Sequence, residues 1–205
     1  LEQMRKMPDA VFAVFCQKNQ DVESPHIDDL YEYGVFAKLV KVLEMPGPGN
    51  NVTAIIQGLG RCRMKSIERE KPFLMGEVET CIEAMPDADD SEFKTAIDDL
   101  RSTAVNYIRQ NEDIPDESQF ALNNISNDII SVDFICTNLP FSIDDKIKLL
   151  EADSMYERVI RTLKVLHKEL QLLELKQTIR TKTREDLDEQ QREYFLQQQI
   201  KNIKE

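Results

Sequence analysis

The stretch Met85-Pro86-Asp87-Ala88-Asp89-Asp90 divides this sequence into two parts with different hydrophobic periods. It contains one proline and three aspartates, and Met85 is its only large apolar residue, a composition typical of a linker. Before it, short apolar runs and apolar–polar alternation predict β-strands. After it, apolar residues recur every three or four positions, as in amphipathic helices. The sequence therefore predicts an α+β protein in which a small β-rich part precedes a helical part.

The β-rich part carries strand signals that are separated by turn residues. The segments are residues 10–16, 34–45, 52–57, 61–64 and 73–82. The Pro- and Gly-rich residues 46–51 predict a turn that makes the second and third segments partners, and residues 28–31 predict a short helical turn. Gly58 and Gly60 lie between strand residues, which favours a bulge or a close backbone approach over a phosphate-binding loop.

Helical patterns follow the linker. The first helix begins near Ser91, the second covers residues 118–137 and the third covers residues 142–152. A fourth helix begins at a capping box formed by Ser154 and Glu157. Its apolar residues are spaced by four and three residues in turn, which is a heptad seam made of Val159, Leu163, Leu166, Leu170 and Leu173. Residues 176–205 contain no Gly or Pro but are largely polar, so they either remain in solvent or pair with another chain.

These patterns set the predicted domain boundaries. A β-rich subdomain covers residues 1–85, a linker covers residues 86–92, a helical subdomain covers residues 93–152, and a long helix covers residues 153–205. The total of 205 residues is enough for one domain or two small ones.

Composition argues against several classes of function. The net charge of −12 opposes attraction to nucleic acid, and no apolar run approaches the ~20 residues that a membrane span needs. The four cysteines are scattered, which predicts reduced thiols in a cytoplasmic protein. Phosphate-loop, metal-ligand and nucleophile–base patterns are missing from the sequence. We therefore predict no catalytic, cofactor-binding or metal-binding residue in this chain.

Two groups of apolar residues are candidate binding surfaces. Six of the seven methionines lie in the first 85 residues, and methionine suits either core packing or an adaptable binding surface. If these methionines form a binding surface, Met45, Met64 and Met75 are candidates for contact with apolar segments of other proteins. Near the end of the long helix, an apolar patch is predicted to contact another subunit or a following domain. It consists of Tyr194, Phe195, Leu196 and Ile200.

Four stretches resemble, in the correct order, the N-terminal region of the ATP-dependent Lon proteases. They are VFAVFCQK at residues 11–18, DLYEYGVFA at residues 29–37, IQGLGRCRM at residues 56–64 and QREYFL at residues 191–196. The last is the most specific, because that region of the family ends in a similar run just before its ATPase module. The family's usual Leu-Pro-Leu-Arg strand and Phe-Pro-Gly turn are not present, so we expect the first strands of the β domain to be missing.

The resemblance implies a PUA-like pseudo-barrel followed by a helical bundle that ends in a long, partly coiled-coil helix. It implies a region that recognises unfolded or degron-bearing protein substrates and assists assembly of a homo-oligomer, a hexamer in the parent protein. ATP, magnesium and a serine protease site are implied for later domains of that parent, which degrades misfolded and selected regulatory proteins. Two alternatives stay open: a stand-alone adaptor or scaffold without protease or ATPase, and a nucleic-acid-binding module.

Overall fold

The computed structural model describes residues 10–44, 52–87 and 89–204. Its contacts divide the chain into two compact units. The sheet unit comprises Leu1–Asp90 and Ser142–Arg158, and the helical unit comprises Ser91–Phe141 and Val159–Glu205. An antiparallel sheet followed by helices confirms the predicted α+β class.

The strands of the sheet unit form an antiparallel meander. They are β1 (Val11–Val14), β2 (Tyr33–Glu44), β3 (Val52–Arg69) and β4 (Met75–Thr80), in the order β1-β2-β3-β4. A short 3-10 helix, Ile27–Asp29, lies between β1 and β2, close to the predicted helical turn. The two segments predicted at residues 52–57 and 61–64 belong to one continuous strand, β3, because its pairing with β2 continues through the intervening glycines.

The predicted bulge at Gly58 and Gly60 is present. Phe36 pairs with Gly60 whereas Ala37 pairs with Gly58, so Leu59 is the extra residue. A Cβ atom at either glycine would meet nothing within 4 Å, so these glycines do not serve a close backbone approach. The close approaches lie at Gly34, where a Cβ would overlap the Val14 carbonyl oxygen, and at Gly76, where it would overlap that of Ser66.

The helical unit contains α1 (Ser91–Gln110), α2 (Asp116–Asn124) and α3 (Asp128–Asn138), and most of the last helix, α5 (Met155–Lys204). The buried side of α1 consists of apolar residues that recur every three or four positions, Phe93, Ile97, Leu100, Ala104 and Ile108. The single helix predicted over residues 118–137 is wrong. Ile125 and Asn127 have extended backbones, and the Asn127 side chain accepts a hydrogen bond of 3.1 Å from the Ile130 amide, which caps α3.

Helix α4 (Ile143–Leu150) belongs to the sheet unit, although the predicted boundaries placed residues 142–152 with the helical subdomain. Ser142 caps its N-terminus, since its hydroxyl accepts a 3.1 Å bond from the Asp145 amide. Beyond α4, the Ala84 amide donates to the Asp153 carbonyl over 3.1 Å, and the Met155 amide donates to the Ala84 carbonyl over 2.9 Å. These backbone bonds join residues distant in sequence, so no local pattern revealed this grouping.

Candidate functional site

The methionines predicted as binding residues do not form one surface. Met45 lies outside the described residues. Met64 is half-buried on β3 opposite Val78, whereas Met75 begins β4 with a side chain 43% exposed, and the Arg69 guanidinium donates to its sulfur. Val78 and Met75 are three residues apart on β4, so the alternation of the strand places Met64 and Met75 on opposite faces. Their role in binding other proteins stays a prediction.

The sheet unit exposes apolar side chains that the sequence analysis assigned only to strands. Val11, Val40 and Ile55 are 57%, 58% and 44% exposed. Leu43 is also exposed, and all four residues lie on strands β1, β2 and β3. A partial signal was present in the sequence, because Lys38 and Lys41 interrupt the apolar run of β2, although simple alternation would place these lysines on opposite faces.

The basic residues of β3 have different surroundings, and two of them are exposed and paired with glutamates. The Arg63 guanidinium donates to the Glu32 carboxylate over 2.6 Å, and the Lys65 amine lies 3.2 Å from the Glu79 carboxylate. Arg61 is the exception, because its side chain is only 11% exposed. It donates two hydrogen bonds of 2.7 Å to the carbonyl oxygens of Leu150 and Ala152, at the C-terminal end of α4. Arg61 therefore anchors α4, and is not available to a phosphate group.

A buried ionic cluster joins this anchor to the first turn of α5. The Arg158 guanidinium donates to one Glu83 carboxylate oxygen over 3.0 Å and lies 3.0 Å from the other. Arg61 lies 3.8 Å from the same carboxylate. Buried charges require such pairing, because the loss of one partner leaves the other uncompensated. The cluster therefore has a structural role in the sheet unit.

Cys62 and His26 are two ionisable groups whose pKa values are shifted by their surroundings. Cys62 is fully buried, and burial, followed by the charge of Cys81, raises the pKa of its thiol to about 11. The reactive thiolate is therefore scarce at neutral pH. His26 bonds the Glu70 carboxylate over 2.9 Å, and this hydrogen bond raises the histidine pKa. Within residues 10–44, 52–87 and 89–204, no cluster of His, Cys, Asp or Glu could hold a metal ion.

The second half of α5 exposes the predicted assembly residues. Tyr194 is 66% exposed and Phe195 60% exposed, and Leu196 and Ile200 are also exposed. Leu196 and Ile200 share a face, whereas Tyr194, Phe195 and Leu196 point in directions about 100° apart. Further apolar residues on the same helix are exposed and were not predicted as contacts, although their spacing indicates a second stripe. They are Leu172, Leu175, Ile179 and Leu187.

A groove of about 570 Å³ lies in the helical unit, between the end of α1 and the middle of α5. Its walls include Glu112, Asp113 and Glu169 together with Lys176 and Arg180. The Gln177 side chain crosses from α5 to α1 and donates to the Gln110 carbonyl over 3.0 Å. The groove has charges of both signs and more polar than apolar surface, so it does not resemble the mostly apolar pockets that bind small molecules.

Among the described residues, no helix combines the length and the apolar character that crossing a membrane requires.

Comparison with known proteins assigns the family. The family model for the ATP-dependent protease La (LON) substrate-binding domain matches residues 1–168. The chain is 38% identical over 195 residues to a Lon protease of Flavobacterium johnsoniae, covering 95% of this chain and 24% of that protein. It is 37% identical over 196 residues to a Lon protease of Parabacteroides distasonis, covering 96% and 24%.

A solved structure supports the fold. The N-terminal domain of a Lon protease from the Mycobacterium avium complex superimposes with a TM-score of 0.56 at 20% identity, covering 78% of this chain and 91% of that one. The chain spans about a quarter of the length of the Lon proteases that it resembles. The family match, its relatives and the shared fold agree, and the chain belongs to the family of Lon substrate-binding domains.

Proposed function

We propose that this chain is the substrate-recognition and oligomer-assembly region of an ATP-dependent serine protease. The observation that carries the proposal is the family match over residues 1–168, because the matched domain is described as substrate-binding. ATP, magnesium and the protease site belong, in this proposal, to other domains of the parent protein, as does the degradation of misfolded and selected regulatory proteins. A cytoplasmic location is part of the same proposal.

The proposed clients are unfolded or degron-bearing proteins, which expose apolar segments. The sheet unit offers apolar side chains that lie partly in solvent, among them Met75, Val40 and Ile55. Covering such side chains with a client removes apolar area from water, at about 25 cal/mol per Å² of apolar surface. Contacts spread over several such residues bind weakly and accept many sequences, which suits a protein that must capture different clients.

Assembly is proposed for the second half of α5. Every residue from position 174 to position 200 is exposed, so this half gains little from its own core. The proposed contacts with another subunit, or with the domain that follows, are Tyr194, Phe195, Leu196 and Ile200. In the parent protein these contacts assist the formation of a homo-oligomer, a hexamer by resemblance to the family.

The test of client recognition is a binding measurement on the isolated chain. We expect fluorescence anisotropy to show binding of labelled, reduced and carboxymethylated α-lactalbumin, which is permanently unfolded, and none of the native, disulfide-bonded protein. Equal binding of the two forms, or of neither, contradicts the proposal. Labelled single-stranded RNA serves as a further probe, and binding of RNA that weakens with added salt would favour a nucleic-acid-binding module instead.

A further inference from the structure

We propose that one face of the β2–β3 hairpin selects client segments in which apolar residues are mixed with acidic ones. We call this face the lysine face and define it by Val11, Lys38, Lys41, Leu43 and Ile55, with Val40 beside them. The proposal rests on the proposed function, which it sharpens by naming the class of segment that is bound.

The strand register places these residues together. Thr53, Ile55 and Gln57 alternate on β3, so their side chains share one face. Their partners on β2 are Leu43, Lys41 and Lys38, respectively, which therefore share that face. Lys38 also pairs with Val11 on β1, which extends the face across three strands. Val40 is the extra residue where the register shifts between Leu39 and Lys41.

The apolar members of the lysine face are accessible. Val11 and Val40 are more than half exposed, Ile55 is 44% exposed and Leu43 is 38% exposed. Directly paired residues on neighbouring strands lie close enough for their side chains to touch, about 4.5–5.5 Å between Cβ atoms. These side chains therefore form a continuous surface that an extended segment can cover.

The charge of this face is opposite to that of the chain. The whole chain has a net charge of −12, yet the lysine face carries Lys38 and Lys41 and no acidic residue at positions 11, 13, 38, 40, 41, 43, 53, 55 or 57. Neither lysine forms an ion pair with any residue in the part of the chain that the structure describes. By contrast, Arg63 and Lys65 on the neighbouring part of β3 are paired with glutamates. Two cations without an ion-pair partner among the described residues, within an exposed apolar surface, favour an anionic, apolar partner.

The chemistry of selection follows from these positions. Lys38 is half-buried, and a lysine in such a position typically packs its aliphatic stem on apolar surface and keeps its amine in water. An acidic residue of the client would lie near one of the amines, and a basic residue at the same place would be repelled. Because the face is open to solvent, added salt screens both effects over a distance of about 10 Å at 0.1 M ionic strength.

The experiment compares short labelled peptides that contain the same apolar residues, separated by aspartate, by serine or by lysine. We expect the isolated chain to bind the aspartate peptide about three- to tenfold more tightly than the lysine peptide, in line with the strength of exposed ion pairs. This preference should disappear between about 50 mM and about 500 mM NaCl. The double variant Lys38→Glu/Lys41→Glu should reverse it.

The matched control is Lys164→Glu, which makes the same charge change at an exposed position of α5 and should leave the preference unchanged. The milder double variant Lys38→Gln/Lys41→Gln should abolish the preference for the aspartate peptide without reversing it. Unchanged circular dichroism and an unchanged melting temperature would show that both double variants fold. Equal affinity for the three peptides, or an effect of Lys164→Glu as large as that of the lysine-face variants, overturns the proposal.

A dimer in sedimentation equilibrium that dissociates in the lysine-face variants also overturns it, because the face would then bind a second copy. Binding of unfolded α-lactalbumin shows whether only this inference fails or the proposed function fails as well. If the chain binds that client but does not distinguish the peptides, only the inference fails. If it binds neither client nor peptides, the proposed function fails with it.

Discussion

The two halves of α5 share one continuous helical backbone but have opposite surroundings. In the first half, Val159, Leu163 and Leu166 are buried, and Leu170 and Leu173 are partly buried. In the second half, every residue from position 174 to position 200 is exposed. The helix continues because residues 176–204 contain no Gly or Pro, and because adding a residue to an existing helix costs far less than starting a new one.

This difference shows that the length of a helix and its packing are decided separately. Packing ends where the heptad seam ends, after Leu173, while the helix itself runs on to Lys204. A helix without a core to support it is available for contact with another protein. We therefore assign stability to the first half of α5 and propose assembly for the second, and the following predictions test that division.

Replacement of a buried residue of the seam should have the largest effect on stability. Leu166 is fully buried, so Leu166→Ala should lower the free energy of unfolding by about 2–5 kcal/mol, since it removes apolar contacts and leaves a cavity. Chemical denaturation followed by circular dichroism measures the change. The matched control is Leu187→Ala in the second half, where the side chain is 53% exposed and the loss should stay within about 0.5 kcal/mol. Equal losses would remove the distinction between the halves.

The first turn of α5 gives the second prediction. Arg158→Met should cost about 3 kcal/mol of unfolding free energy, at the lower end for a broken buried ion pair because Arg61 stays near the Glu83 carboxylate. Arg184→Met, which removes the same charge from the exposed half, should change stability by less than about 0.5 kcal/mol. A neutral result for Arg158→Met would mean that the ionic cluster is dispensable.

Removal of the exposed half should affect assembly more than stability. A chain that ends after Lys176 should lose most of any self-association in sedimentation velocity, yet keep its melting temperature. The truncation removes the Gln177 bond to the Gln110 carbonyl, an exposed hydrogen bond worth about 1 kcal/mol or less.

The combined change Tyr194→Ser, Phe195→Ser and Leu196→Ser is the companion variant, because it keeps the length of the helix and alters only the proposed contacts. It should reduce self-association as the truncation does. If both variants sediment like the complete chain, the assembly role of the second half is wrong.

The smallest expected effect concerns alkaline pH. Tyr107 is buried where the packed half of α5 ends, and burial raises its pKa. The Asn111 hydrogen bond lowers that pKa, and the charges of Glu169 and Asp113 raise it. A raised pKa means that the folded state favours the protonated phenol. The resulting stabilisation is complete below the ordinary tyrosine pKa of about 10, and it is lost as the pH rises through the pKa of the folded state.

Denaturation at pH values from 8 to about 11 tests this sign. Tyr107→Phe should reduce the fall in stability, and Tyr194→Phe in the exposed half should leave it unchanged. Part of the decrease in the free energy of unfolding should persist in both variants. The pKa of Cys62 is raised to about 11, so this buried thiol also lowers stability as the pH rises above 9. An identical pH dependence in Tyr107→Phe and the unaltered chain would contradict the assignment.

Local patterns predicted much of the fold. The capping box that begins the last helix holds, since the Glu157 amide donates to the Ser154 hydroxyl over 3.1 Å. The heptad seam also marks the buried side of α5 correctly up to Leu166. The break between α2 and α3 was missed because residues 123–128 contain no Gly or Pro, and the sequence alone did not show that the Asn127 side chain caps α3.

The candidate surfaces were predicted less well than the elements. Tyr194, Phe195, Leu196 and Ile200 lie in solvent, but their role in assembly stays a prediction. The methionine hypothesis used composition alone, and composition does not say which face of a strand a residue occupies. Met64 and Met75 fall on opposite faces because Met64 pairs with Val78, which lies three residues from Met75 on β4. The lysine face emerged only from the register of β1, β2 and β3.

The sequence by itself determined the α+β class, the location of the strands before the helices, the start of the long helix and the resemblance to the Lon family, because periodicity, capping and turn residues act over a few positions. Only the tertiary structure decided that residues 142–158 group with the sheet, that Arg61 is buried and that Lys38 and Lys41 share a face with Val11 and Ile55. Arg61 bonds carbonyl groups 89 and 91 residues further along the chain. Contacts over such separations depend on strand register and packing, which no short stretch of sequence encodes.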